Sequence, residues 1–575
     1  MFLEDVLKEN EKMQKAWKKG AEEVAKGASE YTSKAHSGFD VKPVYSPEDI
    51  KNLSYRDDIP LPGEYPYTRG YLPIHHQYLP PMMGQQIGMQ STDETNERIA
   101  FLRKLGRSTR VGVDDDTFSM MLAIDLPSQL GYDADDPLAE GKVGECAMSI
   151  CTMNDYVELF KNLPAIRNTP TLFVAFNACE WLVAAAAVYC IDYRKDPLSD
   201  LRVYSNDDHI CQHYYDIYTY PPRIGLRMRV EFTKFIVDNC PRSAASVLES
   251  YSVAEAGADP AFEIGITLAQ AIETAEACVN AGLDPNDFMG KFRTHTRLGM
   301  NLFEEVAKQR ALRKIWAKIS KERFGCTRPE AFKLMEYSTQ CAAMDAVALE
   351  PLNNIIRITI QTLVAFLSDL DAVAPISYDE PLGIPSAEAA MISLRTVQIL
   401  SEETGIRNVT DPLGGSYYIE SLTNKMEEEI NNWIKEIEKR GGFVKALESG
   451  WMKAAIAKQA YEHQQKLASG EKIKIGFNKY KTQDRPPAMN VVRRPIEVEE
   501  KCIRRAKEYK ASRDQDKVKR ALSKVKKACE AMDKDWPNSV GGYIPTLMDA
   551  IRAKATLGEC CKINRDVFGF GFWAK

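Results

Sequence analysis

Short apolar runs alternate with longer amphipathic stretches through the middle of the chain. In stretches such as Leu226–Asn239 and Asn301–Lys321, apolar residues recur every three or four positions, which predicts helices. The apolar runs predict buried strands, and the eight candidates are Ser119–Ile124, Cys146–Cys151, Thr171–Phe176, Leu201–Ser205, Ala244–Ser250, Phe292–Arg297, Phe332–Thr339 and Ala372–Ser377. Strict alternation predicts a parallel sheet, and eight units predict a closed (β/α)8 TIM barrel.

The 575 residues are too many for one compact core, so we expect three regions. Residues 1–106 predict an N-terminal helix and a Pro/Tyr-rich extension that wraps a surface. In this extension His75 and His76 are expected at the surface. Residues 107–410 predict the catalytic barrel, and residues 411–575 predict a helical C-terminal region.

Composition excludes several classes of function. The net charge of −6 comes without a basic face, so no nucleic-acid partner is expected. The longest apolar run, Trp181–Ile191, is too short to cross a bilayer, and the charged N-terminus does not resemble a signal peptide. Thirteen cysteines without a CxxC pair predict buried thiols in a reducing cytoplasm. Cys560 and Cys561 allow a vicinal redox pair, but two thiols on different helix faces is the favoured interpretation.

Three blocks go beyond the fold pattern, and each falls just past a predicted element. They are Asp125–Asp133 (DLPSQLGYD), Tyr220–Pro222 leading to Arg227, and Asp411–Tyr418 (DPLGGSYY). In this order they resemble the large, barrel-forming subunit of the methylmalonyl-CoA mutase family, from about Tyr67 onward. The resemblance implies an adenosylcobalamin-dependent isomerase that catalyses a radical 1,2-rearrangement of an acyl-CoA.

The resemblance also implies a partner. The family's cobalamin-binding domain carries a DxHxxG pattern, whose histidine ligates cobalt. The nearest approach here, Asp207–Gln212 (DDHICQ), lacks the glycine and lies within the predicted barrel. A small cobalamin-binding subunit, and with it a hetero-oligomer, is therefore expected, and the sequence predicts no metal ligands of its own.

Four family positions persist in this chain. Arg227 corresponds to the arginine that holds the substrate carboxylate, a task that suits a planar guanidinium, although a surface helix arginine is the alternative. Tyr251 corresponds to a tyrosine near the migrating group, with a buried structural tyrosine as the alternative. Glu380 corresponds to the glutamate at the adenosyl ribose, and Gly88 to the glycine where backbone approaches the adenosine.

Other family positions have changed. Gln86, Ser205 and Ser252 replace a stacking tyrosine, a glutamine near the thioester and a proton-donating histidine, which leaves room for a bulkier acyl group. Ile124 stands where the 2-hydroxyisobutyryl-CoA branch has aspartate, which argues against a hydroxyacyl substrate. Lys291 is the remaining cation among three family arginines for CoA.

Two changes bear on the barrel interior. The small residues along the family's CoA channel are replaced, at the positions Met121, Phe173, Ala175 and Val203. These side chains predict partial filling of the axis, as in an ordinary packed barrel. His295 replaces an active-site aromatic and lies two residues after Arg293, so it is either a catalytic proton carrier or a hydrogen-bonded structural histidine.

Three hypotheses follow from the sequence. The first is the large subunit of a mutase that acts on an unusual, carboxylate-bearing acyl-CoA rather than methylmalonyl-CoA. The second is a catalytically silent scaffold subunit, and the third is a mutase that acts on a free acid. The retained Arg227, Tyr251, Glu380 and Gly88 favour the first hypothesis.

Overall fold

The computed structural model of the protein describes residues 2–24, 33–106, 120–161, 171–174, 176–205, 208, 213, 219–482, 485–487 and 492–571. It is an α/β structure in which helix predominates. The α-helices in this part of the chain are α1 (Glu4–Val24), α2 (His75–Tyr78), α3 (Thr92–Lys104), α4 (Leu126–Gln129), α5 (Met153–Phe160), α6 (Cys179–Val188), α7 (Pro222–Asn239), α8 (Tyr251–Glu255), α9 (Pro260–Asn280), α10 (Pro285–Phe288), α11 (Leu302–Lys318), α12 (Asn354–Leu367), α13 (Ala387–Glu403), α14 (Tyr417–Lys439), α15 (Phe443–Glu448), α16 (Trp451–Ser469), α17 (Ile496–Ala511), α18 (Gln515–Lys534), α19 (Tyr543–Arg552) and α20 (Leu557–Phe568).

The strands are short and mostly parallel. They are β1 (Ser33–Lys34), β2 (Asp40–Val41), β3 (Met82–Met83), β4 (Gln86–Ile87), β5 (Met120–Ala123), β6 (Thr171–Val174), β7 (Val203–Ser205), β8 (Ser246–Glu249), β9 (Phe292–Leu298), β10 (Met335–Cys341) and β11 (Ala372–Val373). β1 and β2 form an antiparallel hairpin. The others form three parallel groups, in the orders β4-β5-β6-β7, β8-β9-β10 and β11-β3.

Hydrogen bonds join the edges of these groups. The amide of Ala244, just before β8, donates to the carbonyl of Val203 in β7 at 3.3 Å. Gln340 of β10 forms a parallel bridge with Ala374 after β11, and the Cys341 amide donates to the Ala374 carbonyl at 3.0 Å. β3 and β4 lie two residues apart on one extended segment. Parallel strand neighbours therefore continue across all three groups.

Seven of the eight predicted strand runs overlap a strand, and the prediction of a strand at Cys146–Cys151 is wrong. There only Met148 makes an isolated bridge, to Ile124. The next two amides donate to groups outside any strand, Ser149 to the Gln90 carbonyl and Ile150 to the Ser128 hydroxyl. No strand ladder therefore forms here. The prediction lacks the hairpin strands β1 and β2 and, among the parallel strands, residues 82–87, whose apolar pattern is too short to register between two prolines and a glycine.

The core is formed by helices packed around the strands. α9 and α11 are buried along almost their whole length, and α14 crosses both of them. The C-terminal helices α18, α19 and α20 pack together, and α19 also packs on α6. Within the described ranges, no helix combines the length and the apolar character that crossing a membrane requires.

Cys560 and Cys561 both lie buried in α20 as free thiols. Burial raises the pKa of Cys561 to about 12 and raises that of Cys560 well above its usual value. A thiol that stays protonated is a poor nucleophile in disulfide chemistry. Both thiols are free and lie in one helix, as the favoured interpretation expects.

Candidate active site

A cavity of about 460 Å³ lies where four strands end. Its walls come from the carboxyl ends of β4 and β5, from β10 near its end, and from the segment after β11. Val492, which forms an antiparallel bridge with Ile384, covers one side. The cavity brings together four of the residues predicted from the sequence: Gln86, Gly88, Ile124 and Glu380. In parallel α/β folds this edge of the sheet is the usual place for ligands.

Glu380 gives the cavity a titratable group. It begins a short 3-10 turn, Glu380–Leu382, and its side chain is half-buried in the wall. Burial, reinforced by the neighbouring charge of Asp379, raises the pKa of Glu380 to about 7. Near neutral pH the carboxyl group is therefore partly protonated and can donate as well as accept a hydrogen bond.

Gly88 is required by packing at the same wall. A Cβ at this position would lie 2.4 Å from the carbonyl oxygen of Ala123, the last residue of β5. A side chain there would force β4 and β5 apart. The glycine thus lets the segment after β4 pack directly against the end of β5 in the cavity wall.

Behind the cavity wall His295 forms the centre of a buried polar chain. Its Nδ1 lies 2.8 Å from Oε2 of Glu249, its register partner on the adjacent strand β8. Its Nε2 lies 3.2 Å from Oε1 of Gln340 on β10. Since Gln340 also lines the cavity, the chain Glu249–His295–Gln340 ends at the site.

His295 and Glu249 stabilise each other's charged forms. Burial disfavours the imidazolium form, but the Glu249 carboxylate outweighs it and raises the pKa of His295. Burial likewise disfavours the carboxylate, but the imidazolium lowers the pKa of Glu249. His295 therefore donates from both nitrogens, and the Gln340 carbonyl must accept. The amide NH2 group of Gln340 is left as a hydrogen-bond donor to a cavity occupant.

Tyr251 and Ser252 support this chain from α8. The Tyr251 ring stacks on the His295 ring, with centroids 5.3 Å apart and an angle of 6° between the planes. The amide of Ser252 donates to Oε1 of Glu249 at 2.8 Å. The structure thus brings Tyr251, Ser252 and His295 together, beside the cavity rather than in its wall.

Arg227 lies elsewhere. Its guanidinium donates to the carbonyls of Met532 and Asp533, both at 3.0 Å, and lies over the Trp536 ring. These partners belong to the carboxyl end of α18 and the turn after it. The structure does not bring Arg227 to the cavity wall, and the carboxylate-holding role stays a prediction.

The remaining predicted residues are spread along the strands. Lys291 lies at the amino end of β9, where its ammonium donates to the Pro241 carbonyl at 2.5 Å and burial lowers its pKa. Arg293 turns back to the carbonyls of Gly290 and Phe292, away from His295. Ser205 ends β7, and its side chain lies outside the described part of the chain.

An apolar cluster occupies the space between the strands below the cavity. Met121, Tyr204 and Val247 come from three strands, and Ala244 and Ala374 complete the cluster. Met121, one of the predicted channel-filling residues, is 1% exposed. Ala175 and the Phe173 side chain lie outside the described residues. Met121 is therefore buried among apolar side chains, and the filling of a barrel axis stays a prediction.

Sequence reasoning missed Glu249 and Gln340. Glu249 is a lone charge inside an otherwise apolar predicted strand, a pattern that signals a buried ion pair. Gln340 directly follows the predicted end of its strand, the position where barrel enzymes carry their chemistry. Both signals were readable, but neither residue corresponds to a quoted family motif.

A cavity at the carboxyl ends of parallel strands, backed by a histidine–carboxylate pair, is the arrangement in which α/β enzymes carry their active sites. Comparison with known proteins identifies the family. The sequence model of the methylmalonyl-CoA mutase family matches residues 34–570, so the chain belongs to this family, whose members are isomerases.

Individual relatives agree with this assignment. The chain is 31% identical over 532 residues to the 2-hydroxyisobutanoyl-CoA mutase large subunit of Aquincola tertiaricarbonis, with 92% of this chain and 91% of that protein covered. It is 30% identical over 558 residues to a methylmalonyl-CoA mutase of Cereibacter sphaeroides, covering 96% and 75%. The mitochondrial methylmalonyl-CoA mutase of Mus musculus is 29% identical over 533 residues, covering 92% and 68%.

Proposed function

We propose that this chain is the large subunit of an adenosylcobalamin-dependent mutase that rearranges the carbon skeleton of an acyl-CoA. The substrate is proposed to be an unusual acyl-CoA with a second carboxylate, not methylmalonyl-CoA. Membership of the family supports the reaction class. The observation that carries the proposal is the cavity at the strand ends, which joins Glu380 and Gly88 to the Gln340–His295–Glu249 chain.

The strands support a barrel around this site. We infer that β3 and β4, on one segment, close a ring that runs through β5 to β11 and back. The parallel pairs, the Ala244–Val203 hydrogen bond and the Gln340–Ala374 bridge supply each neighbouring contact of such a ring. The cavity would then lie at its carboxyl-terminal mouth.

The residues of the cavity fit a nucleoside. A pocket of about 460 Å³ with a carboxyl group, backbone approach at Gly88 and amide groups from Gln86 and Gln340 offers hydrogen bonds to ribose and base. When bound, adenosylcobalamin supplies the radical that starts the rearrangement. Glu380 and Gly88 are the residues proposed to hold its adenosyl part, while a small partner subunit holds the cobalamin. The family member named a large subunit supports such a partner.

The chain's own residues orient the substrate and exclude water. The Gln340 NH2 group would donate to a carbonyl oxygen of the substrate, and the His295 imidazolium fixes the direction of that amide. Tyr251 shields the imidazolium from one side. Val492 and Ile384 cover one side of the cavity, which would limit the access of solvent to a reactive intermediate.

A second candidate function is favoured by the apolar cluster. Met121, Tyr204 and Val247 belong to one buried apolar cluster, and in a closed barrel this cluster would fill the space along which the family threads the pantetheine chain of CoA. A filled axis with an open mouth fits a mutase that acts on a free acid rather than on a thioester. The silent-scaffold hypothesis is disfavoured by the intact cavity.

Reconstitution separates these functions. The purified chain, its cobalamin-binding partner and adenosylcobalamin are incubated with dicarboxylic acyl-CoA thioesters and with the matching free acids, and isomers are resolved by mass spectrometry. Conversion of thioesters alone supports the proposal, and conversion of free acids alone supports the second candidate. Cofactor binding without conversion of either class would leave the scaffold hypothesis. The cytoplasmic location and the hetero-oligomer stay predictions.

A further inference from the structure

Two adjacent histidines that were predicted at the surface are buried. His75 and His76 form the first turn of α2 and are 2% and 3% exposed. They pack against Asp369 and Asp371, which lie between α12 and β11 and are 1% and 4% exposed. The surface prediction is wrong because the Pro-rich segment folds inward against the amino end of β11.

The outer nitrogens of both histidines are directed to acceptors. Nε2 of His76 lies 2.8 Å from the carbonyl oxygen of Leu370, which can only accept, so this nitrogen carries the hydrogen. Nε2 of His75 lies 3.4 Å from Oδ1 of Asp371. Metal-bound histidines are oriented in this way, by a carbonyl or a carboxylate on the nitrogen that does not bind the metal.

The inner nitrogens converge on one carboxylate. Nδ1 of His75 lies 3.3 Å from Oδ2 of Asp369, and Nδ1 of His76 lies 3.8 Å from Oδ1 of the same residue. In the neutral His76 ring, Nδ1 holds a lone pair, and it faces a carboxylate oxygen that has no hydrogen-bond partner among the described residues. Two lone pairs that face each other repel, and 3.8 Å is too long for a hydrogen bond between this nitrogen and oxygen, whereas a metal ion can bind both atoms.

The backbone around Asp369 is built for this arrangement. Asp369 has φ +57°, a left-handed conformation that costs energy for a residue with a side chain. A Cβ on Gly70 would lie 2.0 Å from Asp369 Oδ2, so only glycine leaves room for the carboxylate. The left-handed backbone at Asp369 and the space left by Gly70 together let the Asp369 carboxylate lie against the histidines.

We propose that His75, His76 and Asp369 bind one Zn²⁺ ion, with Asp371 orienting His75. Tetrahedral zinc, with bonds of about 2.0–2.1 Å to nitrogen and oxygen, holds its ligand atoms about 3.3–3.4 Å apart. The observed separations of 3.3 and 3.8 Å are close to this spacing, and histidine with carboxylate is a ligand set that zinc accepts. Water completes the tetrahedron.

The ion would link the Pro-rich segment to the turn between α12 and β11. This site lies at the amino end of β11, whereas the cavity lies at the carboxyl end, so its role is structural. Arg407 strengthens the same junction, since its Nε donates to the His76 carbonyl at 2.8 Å. The proposal does not depend on the reaction that the cavity supports.

The test is a zinc titration of the full chain after chelator treatment and dialysis, followed by calorimetry. The wild type should bind about one equivalent, and zinc should raise its Tm. Asp369→Asn and His76→Gln should weaken binding by at least about 100-fold, as expected when one of three protein ligands is lost. Cys146→Ser, which removes an exposed thiol, and His463→Gln are matched controls that should leave binding unchanged.

Co²⁺ substitution tests the wild type without a variant. Histidine and carboxylate ligands give tetrahedral visible bands, whereas cysteine ligands add a strong thiolate charge-transfer band. That band, or zinc binding by Asp369→Asn equal to that of the wild type, would overturn the proposal. So would a wild type that binds no zinc, which would mean that protons alone satisfy the His75–Asp369–Asp371 contacts.

Discussion

Histidines at the two ends of the strands are surrounded in different ways. At the carboxyl end, His295 has one carboxylate and one amide carbonyl, and two N–H groups match two acceptors. At the amino end, His75 and His76 share Asp369, and acceptors outnumber the hydrogens directed at them. Both groups are buried, so neither is satisfied by bulk water.

The comparison shows that burial of a histidine does not fix its chemistry. A matched set of donors and acceptors stabilises a charged imidazolium, which then orients Gln340 toward a ligand. A set with surplus lone pairs is satisfied by a further proton or by a metal ion, and a metal ion is the partner that we propose. The four predictions below test the site at the carboxyl end and the placement of Arg227 outside it, from the largest expected effect to the smallest.

Replacing His295 should have the largest effect. In the reconstituted enzyme, His295→Gln should reduce kcat about 100-fold, because the Gln340 amide is then free to rotate away from the substrate carbonyl. Turnover of the thioester identified by the reconstitution measures this loss. His463→Gln, a half-buried histidine away from the cavity, is the control. A full kcat in His295→Gln would make the chain Glu249–His295–Gln340 purely structural.

Replacing Arg227 tests whether this residue stabilises the fold or binds the substrate. Arg227→Gln should lower the free energy of unfolding by about 1.5–3 kcal/mol, because charged hydrogen bonds to the Met532 and Asp533 carbonyls are lost. Denaturant unfolding measures this. Arg223→Gln is the matched control, since the Arg223 side chain is 57% exposed and its guanidinium lies 3.9 Å from the Asp533 carboxylate. An unchanged stability with a raised KM would instead assign Arg227 to the substrate.

The raised pKa of Glu380 predicts that the free energy of unfolding depends on pH. Its pKa is raised from 4.5 to about 7, so the folded state binds more protons than the unfolded state between these values. Its contribution is therefore fully present below pH 4.5 and is lost as pH rises through 7. A rise in pKa from 4.5 to about 7 corresponds to about 3 kcal/mol in a fully buried group, and solvent at the half-buried Glu380 side chain reduces this. Between pH 4 and pH 8, Glu380→Gln should therefore gain about 1 kcal/mol in free energy of unfolding relative to the wild type, as measured by denaturant unfolding. The exposed Glu388→Gln should show no such change.

The charge on His295 gives the smallest but most specific signal. In Glu249→Gln the attraction that raises the histidine pKa is gone, and burial remains. The pKa of His295 should then fall below its ordinary value, as followed by NMR of labelled histidines. A pKa that stays raised would mean that Glu249 does not hold the proton on the ring.

The sequence predicted the features that follow a repeating pattern or a family motif. It missed the features that depend on contacts between side chains far apart in the sequence. Regular alternation located seven strands, and family motifs located Glu380 and Gly88 at one cavity. The prediction at Cys146–Cys151 failed because an apolar run without ladder partners is not a strand. The burial of His75 and His76 depends on Gly70 and on a turn some 300 residues away, which no local pattern encodes. Arg227 faces α18 for the same reason.

The most direct test of the account is electron paramagnetic resonance of the reconstituted complex after substrate addition. The account predicts a radical signal with the wild-type chain, adenosylcobalamin and an accepted thioester. It also predicts loss of that signal when Glu380 and Gln340 are replaced together by Ala and Leu. A complex that holds the cofactor but gives no signal with any thioester, or an undiminished signal in the double variant, would contradict the assignment of the cavity as the reactive site.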